Sequence, residues 1–191
     1  MSEEERETRR GFIGGYSPFF GVGAFALIEL PEPWELRMSP EPLECDMLGD
    51  WCPEGGFRWV LRGKVKALLV NPEARRAYLM SVEARDFRRP SDAEAYVARR
   101  LGKLEADPRS EVLEKGFLEV SGHRGRYLAL VRRRKRLLRG EEVRHVLVAA
   151  FFCERTERLL WLELAGGSYL LEDLEELKPI IASISCHGQG P

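Results

Sequence analysis

The sequence predicts an α+β fold in which a single antiparallel β-sheet of about six to seven strands carries helices packed against it. Strand-like runs follow one another as a hairpin and then as a four-strand meander, with no helix between consecutive runs to make a parallel crossover. Two stretches of helical periodicity bracket the meander. The 191 residues, 44% hydrophobic and 32% charged, hold enough apolar material for one core under a densely ionised surface.

The chain opens with "TRRGFIGGYSPFFGVGAFA" (8–26), whose adjacent arginines and glycine-rich apolar run resemble a twin-arginine export signal. The first ten residues, however, hold four glutamates against three arginines, whereas such a signal needs a basic start. Cleavage after Ala26 would also cut into "FALIELPEPW" (25–34), which reads as the first strand. The expectation is therefore an N-terminal arm over 1–23, with Tyr16, Phe19 and Phe20 as its interface residues covering an apolar surface on this subunit or a second copy. Export by the twin-arginine route is the alternative to a cytoplasmic location.

After the strand Phe25–Leu30, Pro31, Pro33, Pro40 and Pro42 keep the chain irregular as far as Leu43. "GFRWVLRGKVKALLV" (56–70) and "RRAYLMSVEA" (75–84) form a hairpin about Asn71-Pro72-Glu73. "PSDAEAYVARRLGKLEAD" (90–107) is a helix with Ser91 as N-cap, Glu94 completing a capping box, and Ala93, Val97, Leu101 and Leu104 on one face. The meander runs Gly116–Ser121, Arg126–Leu137, Val143–Cys153 and Arg158–Ala165. A closing helix places Leu170, Leu174, Leu177, Ile181 and Ile184 at helical spacing, with Ser168 as N-cap and Pro179 kinking or dividing it. One domain thus spans 24–187, followed by a tail over 188–191. No stretch reaches the roughly 18 uninterrupted apolar residues of a membrane span.

This layout resembles the PsbP-like family. The features that carry the resemblance are "FALIELPEPW", the helix from Ser91, "EVSGHRGRYLAL" (119–130) with its turn glycines, and the terminal "LKPIIASI" (177–184). The resemblance covers roughly Ala24 to Cys186 and implies an α+β domain serving as an accessory or binding protein; it transfers no functional residue. A helix-grip fold is the alternative, but it wants helices directly after the first strand, where this chain is rich in proline.

Arginine makes up 24 of the 30 basic residues and glutamate 25 of the 31 acidic ones, while asparagine and glutamine occur once each. That bias predicts a thermophile, since ion pairs cost less desolvation when hot, although a GC-rich genome also favours arginine. A net charge of −1 gives no global attraction to nucleic acid. The local exception is "RRRKRLLR", with Arg132, Arg133, Arg134, Lys135, Arg136 and Arg139 basic. At about 3.4 Å per residue, a strand from Arg126 to Leu137 spans about 40 Å, so its distal half projects from the sheet. It is either a basic finger for phosphates or an acidic protein, or a solvated hairpin balanced by Glu141, Glu142, Glu154 and Glu157. The second reading is preferred, because no aromatic residues interleave with the arginines.

Cys45 and Cys52 bracket "CDMLGDWC" and form either a disulfide or two unpaired thiols. As metal ligands, Cys45, Cys52, Cys186 and His187 lack the C-x-x-C spacing that holds such sets together, so no metal is expected. His123 and His145 read as surface or capped histidines. Gly166, Gly167 and Ser168 form a strand-to-helix turn able to offer N–H groups to an anion. No catalytic residue and no cofactor emerge. The leading expectation is a non-enzymatic accessory module that engages a protein partner. A nucleic-acid-binding protein using the 132–139 hairpin is the second class, and a small-molecule enzyme or ligand-binding protein with a pocket on the sheet is the third.

Overall fold

The computed structural model describes residues 8–17, 21–38, 44–47, 62–136 and 140–187, the side chains of 15–17, 21–25, 38, 44–47, 62, 134–136, 140 and 141 excepted. In chain order the elements are β1 (Thr8–Ser17), β2 (Gly21–Pro31), β3 (Glu35–Met38), β4 (Glu44–Met47), β5 (Arg62–Asn71), β6 (Arg76–Asp86), α1 (Pro90–Glu105), β7 (Ser110–Val120), β8 (His123–Arg136), β9 (Gly140–Cys153), β10 (Arg158–Gly166) and α2 (Leu174–Ala182). Strands β3 to β10 form one eight-stranded antiparallel sheet in the order β3-β5-β6-β10-β9-β8-β7, while β4 also pairs with β5. The sequence expectation of six to seven strands in one sheet counts Phe25–Leu30, which instead lies in β2 and pairs with β1 in a separate two-stranded sheet, and it omits β3 and β4. Each is only four residues long, too short to display a period of two among the prolines.

The central strands of the sheet are buried on both faces. Residues of one parity, including Leu69, Tyr78, Met80, Leu147, Phe151 and Leu162, pack beneath α2 and the β1–β2 hairpin. The other parity, Leu128, Leu130, Val146, Val148, Leu159 and Trp161, packs beneath α1 through Val97 and Leu101. The helices thus lie on opposite faces. The central strands β9 and β10 carry continuous apolar runs because neither of their faces meets water. Val97, Leu101, Leu174, Leu177 and Ile181, predicted to pack on the sheet, are all buried.

Several local expectations are corrected. Helix α1 begins at Pro90, whose missing N–H is costless in the first turn, with Arg89 as N-cap and no side-chain cap, so the Ser91–Glu94 capping box does not form. Gly167, not Ser168, caps a 3-10 turn over Ser168–Leu170, and α2 starts only after Asp173. That helix runs through Pro179 to Ala182. An added Cβ at Gly167 would lie 2.6 Å from Tyr169, so the close approach of that ring requires glycine.

Residues Thr8–Ser17, read from sequence as arm, form β1, paired with β2 from Thr8↔Pro31 to Ser17↔Gly21. Arg9 and Arg10 lie on that strand beside Glu32 (3.2 Å) and Glu29 (3.5 Å), and Ile13 is in the core. The twin arginines are therefore part of a folded hairpin here.

Candidate metal centre

Two turns and the segment after α2 meet at one end of the sheet. The β7–β8 hairpin closes over Ser121 (φ 51°) and Gly122 (φ 76°), the paired positive-φ geometry of the tightest hairpins. That turn sets His123 at the first position of β8. Across the ladder Arg126 pairs with Ala150, and the same register carries His123 to the level of Cys153, the last residue of β9.

The third component is fixed by hydrogen bonds on both sides. Ser185 and Leu27 exchange backbone hydrogen bonds, the Ser185 N–H donating at 2.8 Å and the Leu27 N–H at 2.9 Å. The Ser183 hydroxyl donates to the Glu29 carbonyl at 2.9 Å and accepts from the Glu29 N–H at 3.0 Å. From the opposite side the Ser121 hydroxyl donates to the Ile184 carbonyl at 2.7 Å. This suturing delivers Cys186 and His187 to the end of the sheet where His123 and Cys153 lie.

The donor atoms of His123, Cys153, Cys186 and His187 all lie within 4.8 Å of one another. His187 Nδ1 is 3.5 Å from His123 Nε2 and 3.3 Å from each of the two sulfurs. A tetrahedral zinc ion with bonds of about 2.3 Å to sulfur and 2.0–2.1 Å to nitrogen has donors spaced about 3.3 to 3.8 Å apart; the three distances from His187 match that spacing, and the remaining pairs lie within 4.8 Å. Both cysteines are fully buried and outside any disulfide, while the imidazoles are half-buried.

The electrostatics suit a cation. The Cys153 thiol is pushed down to about 4, chiefly by its hydrogen bond with Cys186 and against the effect of burial, with His123 nearby helping. The same hydrogen bond and burial push the Cys186 thiol up. Without a metal, the hydrogen bond between the two sulfurs thus favours ionising Cys153 before Cys186. A divalent ion would replace the second proton.

On the other face of the same turn lies a cleft of about 360 Å³, lined by Val97, Leu159, Phe117, Arg124, Arg126 and Glu154 among others. Arg124 stacks 3.8 Å over the half-exposed Phe117 ring. His123 borders this cleft and the cluster alike.

The overall fold is similar to that of a PsbP protein. The solved structure of cyanobacterial PsbP (CyanoP) from Synechocystis sp. PCC 6803 shares 14% identity, with a TM-score of 0.46 over 98% of this chain and 96% of that one. PsbP-like is also the family that the sequence layout resembles. No family model matches the sequence, and no curated protein is similar to it.

Cys186 and His187 were weighed from sequence as ligands beside Cys45 and Cys52; their neighbours in the fold are instead His123 and Cys153. The side chains of Cys45 and Cys52 lie outside the described residues, as do those of Tyr16, Phe19 and Phe20. His145 stands eight positions back along β9 from Cys153, about 27 Å away at strand rise, and takes no part.

Of the basic run, Arg132 approaches Asp107 at 3.9 Å and Arg133 approaches Glu111 at 3.4 Å. Strand β8 pairs with both neighbours to Arg132, opposite Ser110 and Arg144, the Arg133 N–H still donates to the Arg109 carbonyl at 2.9 Å, and the strand then continues to Arg136 on β9. The register sets Arg134 against Glu142 and Lys135 against Glu141. The side chains of Arg134, Lys135, Arg136 and Arg139 lie outside the described residues.

Proposed function

We propose that the chain is a non-enzymatic binding module, engaging a protein partner, whose segment after α2 is fastened to the sheet by a four-ligand metal centre. Zinc is the ion that the donor set suits best. The observation carrying this reading is the convergence of two thiols and two imidazoles whose donor atoms all lie within 4.8 Å of one another. Four protein ligands leave no open position for a substrate or an activated water, so the centre is structural rather than hydrolytic. Its role is mechanical: one ion links β8, β9 and the residues that also bridge to β2.

Three further features support the reading. Thiolate ligands persist where thiols stay reduced, which favours a cytoplasmic location. Leu68 and Leu79, cross-strand partners in the sheet, remain 43% and 46% exposed, and Phe12 on β1 remains 63% exposed. Such apolar residues at the surface suit a protein partner more than a polyanion. The carboxylates beside Arg132 and Arg133 argue in the same direction.

Elemental analysis of reduced protein, compared with a Cys153→Ser/Cys186→Ser variant, tests the centre. One zinc per chain in the native protein, falling below a tenth in the variant, supports it. Full occupancy in the variant overturns it.

A further inference from the structure

We infer that the centre is a redox-responsive metal site, in which a small hydroperoxide oxidises Cys153 and Cys186 to a disulfide and the metal is discharged. This rests on the metal-centre reading above and adds a second chemistry to it. The two sulfurs belong to separate segments, the end of β9 and the residues after α2. They lie within 4.8 Å of each other, and both are 3.3 Å from the same His187 nitrogen. A disulfide needs its sulfurs about 2.05 Å apart, so the two side chains close the remaining gap as the S–S bond forms and the ion is displaced.

The chemistry balances with hydrogen peroxide as the two-electron oxidant. One thiolate sulfur attacks the peroxide O–O bond; a sulfenic acid forms and, with one proton taken up, water leaves. The second thiolate then attacks the sulfenyl sulfur, forming the S–S bond and, with another proton, releasing a second water. Two thiolates, one peroxide and two protons thus become one disulfide and two waters. The metal keeps only two neutral imidazoles of its four donors, and the loss of both anionic ligands releases it as the dication.

The burial pattern selects the oxidant. Both sulfurs are fully buried, and the half-buried side of the cluster is formed by the imidazoles of His123 and His187. Either sulfur is reached only when that side opens, and the opening that admits hydrogen peroxide is much smaller than the one an aromatic disulfide reagent requires. The folded, metal-loaded protein is therefore expected to react with peroxide and to resist bulky thiol reagents.

The experiment uses full-length zinc-loaded protein carrying Cys45→Ser and Cys52→Ser, so that only the two cysteines of the centre report. Zinc content is measured first, and zinc release on adding hydrogen peroxide is followed with a chromophoric chelator. The products are mapped by mass spectrometry of unreduced peptides. Should that variant fold poorly, the wild-type protein is mapped the same way, since the peptides separate the four cysteines.

The expected result is one zinc released per chain together with a Cys153–Cys186 crosslink, both reversed by dithiothreitol plus zinc. A zinc-loaded protein whose metal and thiols survive peroxide, or that yields sulfinic acids without the crosslink, overturns this inference while leaving the metal centre standing. Reduced protein that binds no zinc at all overturns the metal centre, and this inference with it.

Discussion

His187 is the ligand whose loss is most informative, because its Nδ1 lies 3.3–3.5 Å from all three other donors, while its half-buried ring contributes little to the core. The perturbation is His187→Ala at fixed free zinc. Losing an outer-shell partner of a metal site costs up to about 100-fold in affinity, and losing a ligand costs at least that. A 100-fold weaker site, with zinc saturating the native protein, removes about 2.7 kcal/mol of linkage stabilisation. At about 2–4 °C per kcal/mol for a domain of this size, the melting temperature falls by about 5–11 °C. Thermal unfolding is recorded for both proteins with zinc and again with excess chelator. The two curves should separate with zinc and nearly coincide with chelator. An equal gap under both conditions would assign the effect to packing and refute the reasoning.

Three other outcomes follow from the same structure. Leu177→Ala, which empties a fully buried position of α2 against the sheet, should cost about 2–5 kcal/mol by chemical denaturation; a cost below 1 kcal/mol would contradict the helix placement. Glu114 accepts hydrogen bonds from Lys178 at 2.7 Å and from Tyr127 at 2.5 Å, and the Lys178 bond, first, holds its carboxyl below the ordinary 4.5. Its contribution is therefore complete above pH 4.5 and lost as pH falls through the lowered folded-state value. Because that side chain is 40% exposed, Glu114→Gln should flatten the acid limb of the stability profile by less than about 1 kcal/mol. Reversing Arg132 and Arg133 to glutamate, half-exposed sites in weak ion pairs, should change stability by less than about 1 kcal/mol each. Submicromolar nucleic-acid binding by the wild type at about 0.15 M salt, lost on reversal, would instead support the basic-finger reading.

The meander and the helix faces were legible because their periods are long and repeated: Val97 and Leu101, or Leu174, Leu177 and Ile181, return at helical spacing to the same side. Strand β1 was hidden by its glycines and by the likeness to an export signal, since Ile13 shows its core role only once β2 is beside it. The metal ligands stayed hidden for a related reason. Apart from the adjacent Cys186 and His187, they come from positions 123 and 153, separated by whole strands, so no local spacing marks them. The readable clue was register: tight turns at Ser121-Gly122 and at Glu154–Glu157 bring a histidine and a cysteine to the same end of neighbouring strands. Placing Cys186 against them requires the Ser185–Leu27 bridge, which depends on how α2 lies on the sheet and is not encoded in any nearby pattern.

The measurement that bears most directly on the metal centre is the zinc stoichiometry of reduced protein with Cys45 and Cys52 changed to serine, purified without added metal and then titrated with zinc. One tightly held zinc per chain is expected, with cobalt substitution giving the intense visible bands of tetrahedral thiolate coordination, both lost in Cys153→Ser. Protein that stays metal-free through the titration, or that binds zinc equally well without Cys153, would contradict it.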